Sequence, residues 1–154
     1  MNTLPEETLD PEDWEAFRRF AHGVLDDALS YLASVRERPV WRPVPVAVSA
    51  RLRVPLPQAG EGMHSAYADY RELVEPYPLG NIHPRFWGWV MGNGTPMGVI
   101  AEMLTATLNT NSGGFNQGAT YVELQVLEWL REIMGFPAGA GGVLLSGGSV
   151  ANLV

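Results

Sequence analysis

The run Gly142-Val143-Leu144-Leu145-Ser146-Gly147-Gly148-Ser149 restricts the fold of this chain more than any other stretch. Gly-Val-Leu-Leu is short, apolar and continuous, which suits a buried strand of the kind found in parallel sheets. The serine–glycine cluster then requires a tight turn, and Ser149 is placed to cap a following helix while donating its hydroxyl. A strand that turns on glycine into a helix points backbone N–H groups and the positive end of the helix dipole at an anion. The dipole alone contributes about 0.3–2 kcal/mol to a phosphate held there. Short glycine motifs also recur by chance as ordinary strand-to-helix turns. Other phosphate cradles fit less well. There is no Gly-x-Gly-x-x-Gly for a dinucleotide, and no lysine follows the turn as in a Walker loop.

Composition narrows the function classes. The ten basic residues are all arginine, and the net charge is −7, which argues against a nucleic-acid or anionic-membrane surface. Cysteine is absent, so no disulfide framework or thiolate metal site exists. His22, His64 and His83 lie far apart and lack ligand spacing, so no metal is expected. With 154 residues, 46% of them hydrophobic and 18% charged, the chain is long enough for a globular domain with a modest core. Met1 to Asp10 is acidic and polar, unlike a signal peptide, and no apolar run is long enough to span a bilayer. The expected location is cytoplasmic.

Apolar periodicity orders the rest. Asp10-Pro11-Glu12-Asp13 reads as a helix start with Asp10 as cap and Pro11 in the first helical position. Trp14, Phe17, Ala21, Val24, Leu25, Ala28, Leu32 and Val35 then form a helical stripe, ended by Pro39. Val40 to Pro57 is crowded with proline and reads as extended chain. Gly60-Glu61-Gly62 is a break, followed by a short helix over Ser65 to Val74 that Pro76 and Pro78 stop. An aromatic segment, His83 to Val90, leads to a helix opened by Thr95-Pro96. Asn109 to Gly118 is a loop, and Thr120-x-x-Glu123 reads as a capping box for a helix that runs to Gly135.

Several of these segments together resemble the pyridoxal-phosphate-dependent group II amino-acid decarboxylases. The matching pieces are the first helix ending Ser34-Val35-Arg36-Glu37-Arg38-Pro39, then His83-Pro84-Arg85-Phe86-Trp87-Gly88, then Ala101-Glu102-Met103-Leu104. Val122-Glu123-Leu124 through Glu128-Trp129-Leu130 follows, and finally Ser146-Gly147-Gly148-Ser149-x-Ala151-Asn152-Leu153. Each is weak alone, but their shared order and spacing are specific.

The resemblance implies an α/β fold: an N-terminal helical arm plus the beginning of a large domain, like that of pyridoxal-phosphate-dependent transferases, around a mostly parallel sheet. It places a dimerisation arm at residues 1–78 and the start of the cofactor-binding domain at 79–154. The arms of two subunits would interlock in a homodimer. Gly147, Gly148 and Ser149 would hold the phosphate of pyridoxal 5'-phosphate. His83, Trp89, Val90, Gly92 and Asn111 would lie at the pocket of an amino-acid substrate. No catalytic residue is expected within this chain, because the family's cofactor-bearing lysine has no counterpart in it. The expectation is therefore a front portion of an enzyme, interrupted inside its cofactor site and inactive alone. It should be molten or self-associating, because a lone strand lacks sheet neighbours.

Some positions depart from the family pattern. Val150 stands where many relatives carry an acid. Met91-Gly92 replaces the Pro-Thr common in the aromatic-amino-acid enzymes, and Asn111 and Gly113 replace bulkier apolar residues. An aromatic substrate therefore does not follow from the motifs. Decarboxylation is the expected reaction. Aminotransfer or carbon–carbon cleavage on the same fold, and a non-catalytic helical dimerisation module, stay open.

Overall fold

The computed structural model describes residues 8–111 and 116–154, and among these the chain is helical, with no β-strand. It forms two compact units, Met1–Val99 and Ile100–Val154.

In the first unit, α1 spans Trp14–Ala33. Its cap is Asp13, not Asp10: Asp13 Oδ1 accepts from the amides of Glu15 and Ala16, both at 2.9 Å. Pro11 therefore lies outside the helix, and the Asp10 amide donates to Thr8 Oγ1 at 3.1 Å. The Ser34 amide and hydroxyl both donate to the Ser30 carbonyl, and a single 3-10 turn over Val35–Glu37 leads to Pro39. The expected stripe is partly buried at Ala21, Val24, Leu25, Ala28, Leu32 and Val35, and differs only at its start, where Trp14 and Phe17 are exposed. Phe20 meets His64 and Tyr67 edge-on at 4.9 and 5.6 Å, whereas Trp14 stays 59% exposed. Phe20, Val24, Ala28 and Tyr31 follow the 3–4-residue spacing of one helix face, and Trp14 lies about 120° round the helix from Phe20.

Between prolines the chain does more than extend. α2 spans Val46–Arg51, where the expected element was extended chain. No proline interrupts residues 46–54, so the Ser49 amide reaches the Pro45 carbonyl at 3.0 Å and Leu52 reaches Val48 at 3.3 Å. Pro45 supplies an extended residue at the N-cap. After Gly62, in the left-handed region at φ 80°, α3 spans Met63–Asp69 and continues as a π-helical turn over Tyr70–Val74. That turn is closed by the Glu75 amide on the Tyr70 carbonyl at 2.9 Å. It buries Leu73 and leaves Val74 at the surface.

A polar seam joins α1 to this element. The Tyr67 hydroxyl donates to Asp27 Oδ2 at 2.8 Å, and Arg71 pairs with the same oxygen at 2.5 Å. Arg71 also meets Glu75 at 3.0 Å; Glu75 faces Arg38 at 3.7 Å, and the Arg38 guanidinium lies 4.1 Å over the Tyr31 ring. Arg51 of α2 pairs with Asp69 and Glu72.

α4 spans Pro96–Leu108 and contains the division between the units. Thr95 Oγ1 accepts from the Gly98 amide at 3.0 Å in its first turn. Of the loop that follows, residues 112–115, including Gly113, lie outside the described residues. α5 spans Gly118–Ile133, and the expected capping box does not form. The helix starts two residues earlier, with Gln117 at the N-cap, so Thr120 and Glu123 are both inside it. The Thr120 hydroxyl is buried without a hydrogen-bond partner among the described residues. The C-terminus does follow expectation. Gly135 adopts φ 69°, its amide donates to Glu132, and the Phe136 amide donates to Arg131, a Schellman motif.

Past Phe136 the chain returns to α5. A Cβ on Gly142 would come within 3.1 Å of Leu127 Cδ2. Gly142–Leu145 is not a strand: among the described residues no segment pairs with it, so the expected sheet does not form there. A β-ladder needs a neighbour's N–H and C=O groups, whatever a segment's own preference. α6, Gly148–Ala151, follows. Among the described residues no helix is long and apolar enough to cross a membrane.

Two outcomes follow from the first unit. Replacing Asp13 with alanine should lower stability by about 1 kcal/mol, whereas Asp10→Ala should change it by less than about 0.5 kcal/mol, read from urea melts followed by circular dichroism. The second concerns acid. The Tyr67 hydroxyl, then the Arg71 guanidinium, hold the Asp27 carboxyl below its ordinary value of 3.8. A depressed carboxylate stabilises the fold above its unfolded value and ceases to do so as pH falls through the folded one. Urea midpoints should therefore drop below the ordinary aspartate range, and Asp27→Asn should remove that part of the acid dependence.

Candidate functional site

The glycine turn lies in the second unit. Gly147 has φ 87° and ψ 148°, a conformation open to glycine almost alone, and it serves as the N-cap of α6. Ser149 is thus the second residue of the helix and not its cap, contrary to the sequence expectation. The Ala151 amide donates to the Gly147 carbonyl at 3.2 Å and the Asn152 amide to Gly148 at 2.9 Å. Among the described residues the amides of Gly148, Ser149 and Val150 have no acceptor within the chain. First-turn amides point outward from a helix start, so these form a set of free donors on one side. Nothing lies within 4 Å of where a Cβ on Gly147 or Gly148 would stand, so the space in front of the turn is open. The exposed Ser149 hydroxyl adds a further donor. Neutral and hydroxyl donors without a competing carboxylate suit a phosphate ester.

The aromatic segment lies in the first unit. His83, Asn81, Phe86, Trp87, Trp89, Met91 and Asn93 line a cleft of about 260 Å³. His83 is 3% exposed, and its Nδ1 accepts from the Arg85 amide at 3.0 Å. An accepting Nδ1 places the neutral ring's proton on Nε2, which is buried and has no partner. With one nitrogen engaged by the backbone and the other shielded, the ring organises the turn and is not free for proton transfer in this arrangement. Trp89 has φ 53°, uncommon for a bulky residue, and its side chain is exposed, as is that of Val90. The Gly92 carbonyl accepts from Asn81 Nδ2 at 3.1 Å. Of the expected pocket residues, His83, Trp89, Val90 and Gly92 thus share one loop. Asn111 lies in the second unit, where its carbonyl accepts from Gln117 Nε2. Asn81 was not among the residues singled out from sequence; the Gly80-Asn81 dipeptide, a turn signal, was its one local trace.

Residues 45–154 match the pyridoxal-dependent decarboxylase conserved domain. The chain belongs to that family. Pyridoxal phosphate is the cofactor of the family, and the donor set at Gly147–Ser149 fits its phosphate. Tyrosine decarboxylase 2 of Narcissus pseudonarcissus is 31% identical over 97% of this chain and 32% of its own length. The aromatic-L-amino-acid decarboxylase of Bacillus atrophaeus is 27% identical over 90% of this chain and 30% of its own. Among solved structures, Catharanthus roseus tryptophan decarboxylase in complex with L-tryptophan superposes with a TM-score of 0.76 at 25% identity, over 92% of this chain and 32% of that one. Oryza sativa TDC with PLP and tryptamine gives 0.80 at 23% identity, over 95% and 32%. The chain therefore spans about a third of the length of the curated relatives it matches. The fold of this pyridoxal-dependent decarboxylase chain is similar to that of the decarboxylase structures, although among the described residues Gly142–Leu145 pairs with no strand.

The glycine turn carries a direct test. A side chain at Gly147 must enter a strained backbone region that costs about 1–3 kcal/mol, so Gly147→Ala should weaken phosphate-ester binding by about tenfold or more. Phosphorus NMR titration with pyridoxal phosphate measures it. Gly148→Ala, at a helical backbone with open space around it, should weaken binding less.

Proposed function

We propose that this chain is the phosphate-gripping and pocket-lining portion of a pyridoxal-phosphate-dependent decarboxylase that acts on an aromatic amino acid. One observation carries the reading: a left-handed Gly147 followed by amides with no acceptor among the described residues, in a sequence that belongs to the decarboxylase family. The relatives named above, which act on tyrosine, tryptophan or aromatic amino acids by their names, support the substrate class.

In this reading the residues divide the work. Gly148 and Ser149 amides, with the Ser149 hydroxyl, hold the phosphate by charge-assisted hydrogen bonds, and Gly147 makes the turn that presents them. Trp89, Val90 and Gly92 wall the substrate pocket. His83 keeps the wall's base in place. The bound cofactor supplies an electron sink for cleavage of the bond to the carboxylate. The chain's own residues orient the substrate and exclude water. Because all ten basic residues are arginine, the chain supplies no lysine for covalent cofactor attachment and has no decarboxylase activity alone.

Residues 1–78 act as a dimerisation arm and 79–154 as the start of the cofactor domain, whose parallel sheet takes in Gly142–Leu145 as one strand. Many large apolar side chains of the arm are exposed, including Trp14, Leu29, Trp41, Val54 and Leu56, which is consistent with burial against a second copy in a cytoplasmic homodimer. A phosphate grip serves aminotransfer or carbon–carbon cleavage equally well, so product decides among them.

The experiment is product analysis. The intact enzyme that carries this segment, given pyridoxal phosphate and tyrosine or tryptophan, should release carbon dioxide and the matching amine, and the 154-residue chain alone should release neither. Keto acid or aldehyde in place of amine would reassign the reaction.

A further inference from the structure

The aromatic segment is closed at its neck by one side chain. Asn81 Nδ2 donates to the Gly92 carbonyl at 3.1 Å, across eleven residues of chain. This makes a short surface loop with its ends together. One foot of the loop is rigid. Gly80 sits so close to the Val40 carbonyl that a Cβ would lie 1.8 Å from its oxygen. The His83 amide donates to the Gly80 carbonyl and the Phe86 amide to that of His83, each at 2.9 Å, around the buried imidazole. The far side has no such anchorage. Among the described residues, the Asn81–Gly92 bond is the one hydrogen bond made by residues 87–94. Within that stretch Trp89 holds its uncommon φ of 53°, a conformation that persists only when the surroundings fix it.

We propose that Asn81 is a positioning residue: by holding the Gly92 carbonyl it fixes the far side of the loop and so aims Trp89 and Val90. The inference rests on the reading of Trp89, Val90 and Gly92 as the pocket wall. Without the amide, Trp89 relaxes toward ordinary backbone angles and the wall moves, while the Gly147–Ser149 turn is unchanged. Asn81 touches no reacting atom; it acts through the loop.

Trypsin reads the clasp through the residues that follow Arg85, which the protease must draw out and which run into the stretch that the Asn81–Gly92 bond holds. The chain has no lysine, so Arg85, inside the loop and exposed, is the one cleavage site between Arg71 and Arg131. Asn81→Ala removes the amide, and Asn81→Asp keeps its shape but replaces the donor with an acceptor. Each should speed cleavage at Arg85 about fivefold relative to cleavage at Arg53, the change expected for loss of one hydrogen bond. Asn81→Gln, which keeps an NH₂ donor, should restore slow cleavage. In the intact enzyme the Ala and Asp variants should raise KM for the aromatic amino acid about fivefold on the same basis, with kcat and cofactor affinity unchanged. Unchanged cleavage at Arg85 overturns the clasp. Fast cleavage with an unchanged KM overturns the positioning role. If the wild-type intact enzyme makes no amine, the decarboxylase reading fails, and the Arg85 rates still judge the clasp.

Discussion

The close approach of Gly80 to the Val40 carbonyl is the contact on which the order of the aromatic segment depends. No side chain fits there, and the backbone at φ 89° is one that side chains rarely adopt. That contact fixes where the chain leaves the element built on α3 and its π-helical turn. The His83 turn is hydrogen-bonded directly to the Gly80 carbonyl, so its position is inherited from the glycine. Burial of the imidazole then follows, with its Nδ1 on the Arg85 amide. An orphaned Nε2–H costs about 1–3 kcal/mol, and the chain bears that cost where it orders the loop that carries Trp87 and Trp89.

The same physics recurs at Gly147 with a different result. At Gly80 the missing side chain lets two backbones approach; at Gly147 it lets the chain reverse so that a helix begins with its donors uncovered. The difference is what stands in front. Val40 fills the space at Gly80, whereas nothing lies within 4 Å of a Cβ at Gly147. A glycine against occupied space is a packing device, and one before open space and free amides leaves those donors available. α6 is a single turn, so its dipole is small, and the free hydrogen-bond donors matter more than the macrodipole.

What could be read from sequence was whatever the chain decides within a few residues. The long helices, the Gly135 stop and the serine–glycine turn are of this kind, because spacing, φ above zero and missing Cβ atoms are local facts. Where two local signals competed, the choice was not legible. Asp10 and Asp13 both suit a cap, and the two amides that Asp13 captures decide between them. Thr120 and Glu123 have the spacing of a capping box, yet the helix has already started at Gly118. Proline density concealed α2, because the proline-free stretch behind Pro45 is just long enough for one helical turn and a half. Contacts distant in sequence left no trace: Tyr67 reaches Asp27 across forty residues, and Asn81 finds a backbone carbonyl eleven residues on. Gly142–Leu145 shows the limit from the other side. Its composition prescribes a strand, and strand pairing is a property of neighbours.

Binding a phosphate and binding an aldehyde carbon are separate physical problems, and the role proposed for this chain is the first. A phosphate is recognised by amides that neighbouring residues can supply, since a reversed turn gathers several donors within a few positions. Capturing the aldehyde needs one amine with a lowered affinity for its proton, placed opposite the phosphate at the far end of the ring. The arginine-only composition has a further consequence. A guanidinium stays protonated throughout the working range and is a poor nucleophile, so no side-chain amine of this chain competes for the aldehyde.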